Sequence, residues 1–302
     1  MTLTTTTSLI SSAYEEGRGV AAFNAINLET VEAIATGAET ANRPVIVQIS
    51  ENAVRYHRGL APLAQAAIAV ASGSTMPIAL HLDHATDERL VGIAVDLGFS
   101  SVMYDASQLP YDDNLARTAA VARRCHDRGA HVEAELGEVG GKDGVHAPGV
   151  RTDPAEAAAF VAGTGVDALA VAVGSSHKMT TRDAALDEAL IAELRRAVDV
   201  PLVLHGSSGV SDEGLRAAIA AGMTKINVAT QLNKAFTGAV RNTLKADPAL
   251  VDQRRYLSVP AAMRWPPRPR GCSPSSRADR RPRFPSLVEA LPRSQNRYRP
   301  AT

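Results

Sequence analysis

Eight times between residues 20 and 245 an apolar, β-rich run gives way to an Ala-rich segment of helical period. The runs fall at 20–24, 44–50, 77–82, 101–104, 131–136, 168–173, 201–205 and 224–228. The helical segments fall at 28–41, 62–72, 87–97, 113–128, 154–164, 187–198, 212–221 and 232–245, with Asp153 placed to cap the fifth. Near-continuous Val/Ile/Leu strands are expected where helices cover both faces of a parallel sheet. Eight units in a chain of 302 residues favour a closed α/β architecture, the (β/α)8 TIM barrel, over an open doubly wound sheet. No Gly-x-Gly-x-x-Gly follows the first strand, which argues against a dinucleotide-binding fold.

The pattern stops near residue 263, and the charge changes with it. The whole chain is neutral, with 32 basic and 32 acidic residues, but residues 264–302 hold ten Arg against only Asp279 and Glu289. That leaves residues 1–263 with 22 basic and 30 acidic side chains. Eight of the 17 prolines also lie in the tail, as in Trp265-Pro266-Pro267-Arg268-Pro269-Arg270. Such a composition buries too little apolar surface to offset chain entropy. We expect a barrel domain over 1–263 and a disordered basic tail over 264–302. A basic tail also suits electrostatic binding of nucleic acid. This one lacks interleaved aromatics and any fold signature, so nucleic acid is not the expected partner. Two cysteines, Cys125 and Cys272, exclude a disulfide scaffold and fit a reducing, cytoplasmic setting. No apolar run approaches the roughly 20 residues of a membrane span, and the Thr/Ser-rich N-terminus lacks the build of a secretory signal.

In a barrel the chemistry gathers where strands end. Here the strands end on Asn24, Ser50, His81-Leu82-Asp83-His84, Asp105, Glu133 and Glu135, His177, His205 and Asn227. One strand-end histidine is usually structural. Three at the same end of the third, sixth and seventh strands suit zinc, whose catalytic sites take three protein ligands and keep one position open. His84, His177 and His205 are the expected ligands. His81 shares the parity of Asp83 and is expected to face into the barrel as a structural group. Asp83 places an acid/base group beside the metal. Asp105 and Glu135 either bind a second metal position or orient the ligands.

The loops after the last two strands have the build of an anion site. Gly206, Ser207 and Ser208 precede one helix, and Asn227, Val228, Ala229 and Thr230 open the next. Small residues let backbone N–H groups approach an anion, helix N-termini favour negative charge, and barrels often hold phosphate at these two loops.

Five motifs then stand together: Leu80-His81-Leu82-Asp83-His84-Ala85, Val132-Glu133-Ala134-Glu135-Leu136-Gly137, Ala172-Val173-Gly174-Ser175-Ser176-His177, Leu204-His205-Gly206-Ser207-Ser208-Gly209 and Lys225-Ile226-Asn227-Val228-Ala229-Thr230. In order and spacing they closely resemble the class II, metal-dependent ketose-bisphosphate aldolases, whose members cleave fructose- or tagatose-1,6-bisphosphate. The resemblance covers residues 1 to about 263. It implies zinc on His84, His177 and His205, with Asp105 and Glu135 at an alternative divalent position, and a monovalent cation. It implies dihydroxyacetone phosphate contacts at Lys178, Gly206, Ser207, Ser208 and Asn227 to Thr230. Asn24 and Ser50 match polar positions lining the family's substrate site. Asp83 would exchange the C4 hydroxyl proton, and Asn227 would hydrogen-bond the negative three-carbon fragment. A homodimer or homotetramer is the implied assembly. A Schiff-base aldolase would need a poised barrel lysine instead. Lys225 is the only strand lysine, and three ligand-like histidines would go unused.

The sequence departs from that pattern in three places. Lys178 stands where relatives carry a small residue. The loop after the fifth strand, where relatives carry a proton-exchanging Glu, offers Asp143 within Gly140-Gly141-Lys142-Asp143-Gly144, with Glu138 the alternative. The tail replaces a final amphipathic helix, and its Arg/Pro/Ser-rich composition is that expected of a GC-rich gene read out of frame. Two other readings remain in view: a zinc-binding barrel without turnover, and a tail that binds nucleic acid.

Overall fold

The computed structural model describes residues 2–136, 151–175 and 182–261, with side chains as far as Ser258. A short strand β1 (Leu3–Thr4) and helix α1 (Thr6–Glu15) come first, where the sequence suggested no element. Thr5 nucleates α1 by accepting the Ser8 N–H on its side chain, the usual service of an N-cap threonine.

The eight expected strands follow: β2 (Val20–Asn24), β3 (Val45–Ser50), β4 (Ile78–Ala85), β5 (Ser101–Tyr104), β6 (His131–Glu135), β7 (Ala168–Ala170), β8 (Leu202–Leu204) and β9 (Met223–Val228). Each pairs in parallel with its neighbour in sequence, and β2 also pairs with β9, which closes the ring. β1 adds to the first residues of β4 outside the closed ring. The chain is therefore a (β/α)8 barrel, as the alternation predicted.

The helices are α2 (Leu28–Ala41), α3 (Glu51–His57), α4 (Ala61–Gly73), α5 (Glu88–Asp96), α6 (Tyr111–His126), α7 (Pro154–Thr164), α8 (Glu188–Ala197), α9 (Asp212–Ala221), α10 (Thr230–Ala246) and α11 (Gln253–Ala261). Asp153 caps α7 as expected, accepting from Ala155 and Glu156. Two of these helices, α3 and α11, have no counterpart in the sequence pattern; α11 rests on α2 and α10. The expected tail over 264–302 lies outside the described residues. Among the described residues no helix is long and apolar enough to cross a membrane.

Alternate strand residues point out and in. The outward set, such as Phe23, Val47, Leu80, Val102 and Leu204, joins the helices in the main core. The inward set changes character along the bore. At its floor Val20, Ala22, Ile46 and Ala79 meet Ile10 and Ala13 of α1 in a separate apolar cluster. Further along the same strands the inward positions become Asn24, Gln48, His81 and Asp83. The polar half of the bore is thus set above an apolar plug.

Candidate metal centre and active site

Parity alone would send Asp83 inward and His84 outward. β4 avoids this with a bulge: Leu82 pairs with Val102 and Ala85 with Tyr104, so Asp83 and His84 together face Met103. His84 takes up the extra residue with φ of 49°, a left-handed conformation that costs a non-glycine residue about 1–2 kcal/mol. Strain of this kind persists where the surroundings enforce it. Here the loop after β4 is clasped by Glu51 of α3, which accepts the Thr86 N–H at 2.5 Å. The result brings both side chains to one mouth.

His84 Nε2 and His205 Nδ1 lie 3.0 Å apart, with the rings at 89°. One ligand atom from each of Asp83, His84 and His205 lies within 4.8 Å of the others, and the same holds for His84, Asp105 and Glu135. The far nitrogen of each imidazole is engaged by a carboxylate: His84 Nδ1 meets Asp105 Oδ2 at 2.8 Å, and His205 Nε2 meets Glu133 Oε1 at 3.0 Å. Carboxylates behind imidazoles fix the tautomer and raise ligand basicity. Two imidazoles and nearby carboxylates form the mixed N/O donor set that suits zinc and related divalent ions.

Asp105 Oδ1 accepts from Ser107 N and Oγ at 3.2 and 2.6 Å while Oδ2 holds His84. Glu135 Oε2 stands 4.0 Å from His205 Nδ1, the nitrogen that faces His84.

Asp83 is buried, and only one of its oxygens is engaged. Oδ2 accepts from Asn24 Nδ2 at 2.6 Å, and Asn24 Oδ1 in turn accepts from Gln48 Nε2 at 3.0 Å. Asp83 Oδ1 has no hydrogen-bond partner among the described residues. A buried carboxylate oxygen left open beside two converging imidazoles is arranged for something that arrives. Electrostatics agree. Burial works against a charged His84, yet Asp83, Asp105 and Glu135 outweigh it and push the imidazole up to about 10. Burial likewise opposes the charge of Asp105, and its hydrogen bond to His84 overcomes that and lowers it. The pocket favours positive charge.

Deeper in the bore, Lys225 Nζ of β9 reaches Glu133 Oε2 of β6 at 2.7 Å, both fully buried. β6 and β9 are not neighbours, so this ion pair spans the interior. Burial opposes the Glu133 charge, and the ammonium of Lys225 outweighs it and lowers the carboxyl. His81 lies beside them as the inward structural group expected, with Nδ1 2.8 Å from Ser101 Oγ. Burial and the charge of Lys225 hold its imidazole well below its usual range.

At the anion loops Gly206 has φ of 66°, which suits glycine. Ser207 Oγ donates to the Asn227 carbonyl, tying the two loops together. Gln231 Nε2 donates to the Ser208 carbonyl at 2.7 Å. α10 starts at Thr230, after Ala229, without a side-chain cap, and Val228 is buried behind it. Asn227 lies with Nδ2 3.1 Å from His205 Nε2 and with Oδ1 unpartnered among the described residues. Ser50 caps α3 by accepting the Ala53 N–H at 3.3 Å. His177, Lys178 and Asp143 lie outside the described residues. Gln48 and the Glu133–Lys225 pair are the features that the sequence left unnoticed. For Gln48 the available signal was its parity with Ser50.

Residues 4–264 match the family model of the class II fructose-bisphosphate aldolases. The chain belongs to that family. The crystal structure of the YdjI aldolase of Escherichia coli K12 is similar with a TM-score of 0.75 and 31% identity, over 86% of this chain and 93% of that one. A fructose-bisphosphate aldolase of Campylobacter jejuni shares the fold at 22% identity and a TM-score of 0.71, over 84% of this chain and 89% of that one. Metal-dependent aldol cleavage is accordingly the reaction class of this class II aldolase.

Proposed function

We propose that the chain cleaves a ketose 1,6-bisphosphate, fructose- or tagatose-1,6-bisphosphate, reversibly to dihydroxyacetone phosphate and glyceraldehyde 3-phosphate. One observation carries the reading: His84 Nε2 and His205 Nδ1 converge at 3.0 Å beside the open oxygen of Asp83. His84 and His205 would hold a zinc ion, with His177 as third ligand and Asp105 and Glu135 at a second divalent position. When bound, zinc supplies a Lewis acid for the negative charge that develops on the three-carbon fragment.

The protein supplies the rest. Asp83 takes the C4 hydroxyl proton during cleavage and returns it to the aldehyde oxygen during condensation. Asn24, itself held by Gln48, holds the other Asp83 oxygen, so the acceptor stays aimed at the mouth. Asn227 offers its amide to the developing charge. Gly206, Ser207, Ser208, Lys178 and the N-terminus of α10 at Thr230 hold the phosphate, while Asn24 and Ser50 line the far side. Asp143 exchanges the proton at the triose carbon. The same reading makes residues 1–263 a cytoplasmic homo-oligomeric barrel that also takes a monovalent cation, and 264–302 an out-of-frame addition.

A coupled assay with both sugars, before and after chelation and zinc return, tests the proposal. Triose release from one of them, abolished by chelator and restored by zinc, is expected. Zinc-loaded protein that releases triose from neither sugar overturns it and leaves a metal-binding barrel without turnover.

A further inference from the structure

We propose that the Glu133–Lys225 ion pair is a positioning device for the metal, one that makes His205 present Nδ1 to the cation. The inference rests on the metal-site reading above and deepens it.

The geometry runs in one line from the core of the bore to its mouth. Lys225 Nζ holds Glu133 Oε2 at 2.7 Å, Glu133 Oε1 lies 3.0 Å from His205 Nε2, and His205 Nδ1 lies 3.0 Å from His84 Nε2. An ion-paired carboxylate only accepts hydrogen bonds. A lone pair on Nε2 facing Glu133 would be repelled, so Nε2 carries the proton and Nδ1 keeps its lone pair for a cation. Asn227 Nδ2 is placed 3.1 Å from the same nitrogen while its Oδ1 has no partner among the described residues; with the proton on Nε2 the amide turns over, so that Oδ1 accepts from that N–H beside Glu133. Lys225 acts one step back. With Oε2 fixed by the ammonium, the carboxylate cannot turn away from the ring.

The arrangement also accounts for a lysine at this place. A fully buried charged pair is seldom more stabilising than apolar residues of the same volume, so its presence is better explained by what it orients. Lys225 is spoken for by Glu133 and is no free amine for a carbonyl substrate. His84 is held differently, by Asp105, which Ser107 holds in turn just after β5. His205 has the bore behind it, and there the ion pair fills that role.

The decisive variant is Glu133→Gln, which keeps the shape but adds a donor that can face Nε2. Zinc affinity, measured by competition with a chromophoric chelator, is expected to fall about tenfold to hundredfold. The visible spectrum of the cobalt-loaded protein should change as well. In zinc-loaded, 15N-histidine-labelled protein, NMR should show His205 protonated at Nε2 in the parent and a mixture of tautomers in the variant. A folded Glu133→Gln protein with parental affinity, cobalt spectrum and tautomer overturns the proposal. Should that variant fail to fold, Glu133→Gln with Lys225→Met removes both charges and is read the same way. Failure of the metal-site reading looks different. In that case the parent itself binds no zinc, or His205→Ala leaves its affinity unchanged.

Discussion

The floor and the mouth of the barrel bore are made by the same strands, four residues apart. Val20, Ile46 and Ala79 lie at one end, and Asn24, Ser50 and Asp83 at the other. The floor is closed by the packing of Ile10 and Ala13, with Thr6 of the same helix hydrogen-bonded to Ser100 and Ser101. The mouth gathers imidazoles and carboxylates whose burial costs free energy unless partners or an arriving cation compensate. Stability and chemistry are thus divided along each strand, and a change at one end should leave the other nearly untouched.

Several substitutions can break that division. Asp83→Asn at the mouth should lower kcat by about 10²–10⁴-fold, with zinc content and melting temperature unchanged. A coupled assay beside metal analysis checks both halves. Ile10→Ala at the floor should cost about 2–5 kcal/mol of stability, seen in urea titration, with kcat kept. A large loss of turnover there would show that the two ends are coupled.

A pH series sharpens the comparison further. In metal-free protein His84 is raised from 6.5 to about 10. A raised value contributes stability that is fully present below pH 6.5 and is lost as pH rises through about 10. The chelated protein should therefore melt several degrees lower at alkaline than at neutral pH, and the gap to zinc-loaded protein should widen, because metal binding competes with that proton. A gap that is flat with pH would count against this. Asp105→Asn should weaken zinc about tenfold to hundredfold through a less firmly held His84, measured by chelator competition. Gln48→Leu, two bonds removed from the reacting proton, should reduce kcat/KM by about tenfold at most, with zinc affinity intact.

Much of the fold was legible because it is carried by local signals. The Val/Ile/Leu runs and the Asn27 and Asp153 caps give α2 and α7 their observed limits. α1 escaped because its Thr/Ser-rich turn depends on the bore it plugs, and sequence periodicity cannot see that partner. At the site, Asn24, Asp83, His84, Asp105, Glu135 and His205 stand out as polar residues closing apolar runs. Gln48 does not, and neither does the pairing of Glu133 with Lys225, since their meaning lies in cross-barrel distances. The bulge that turns His84 inward is equally silent in the sequence, where nothing marks the left-handed residue.

The extra strand β1 lies against the first residues of β4, at the end of the barrel remote from His84 and His205. A surface anchor or reporter attached next to Leu3 would therefore emerge on the underside. Enzyme tethered through that end would keep its opening turned toward the surrounding liquid, a practical orientation for immobilised synthesis of sugar phosphates.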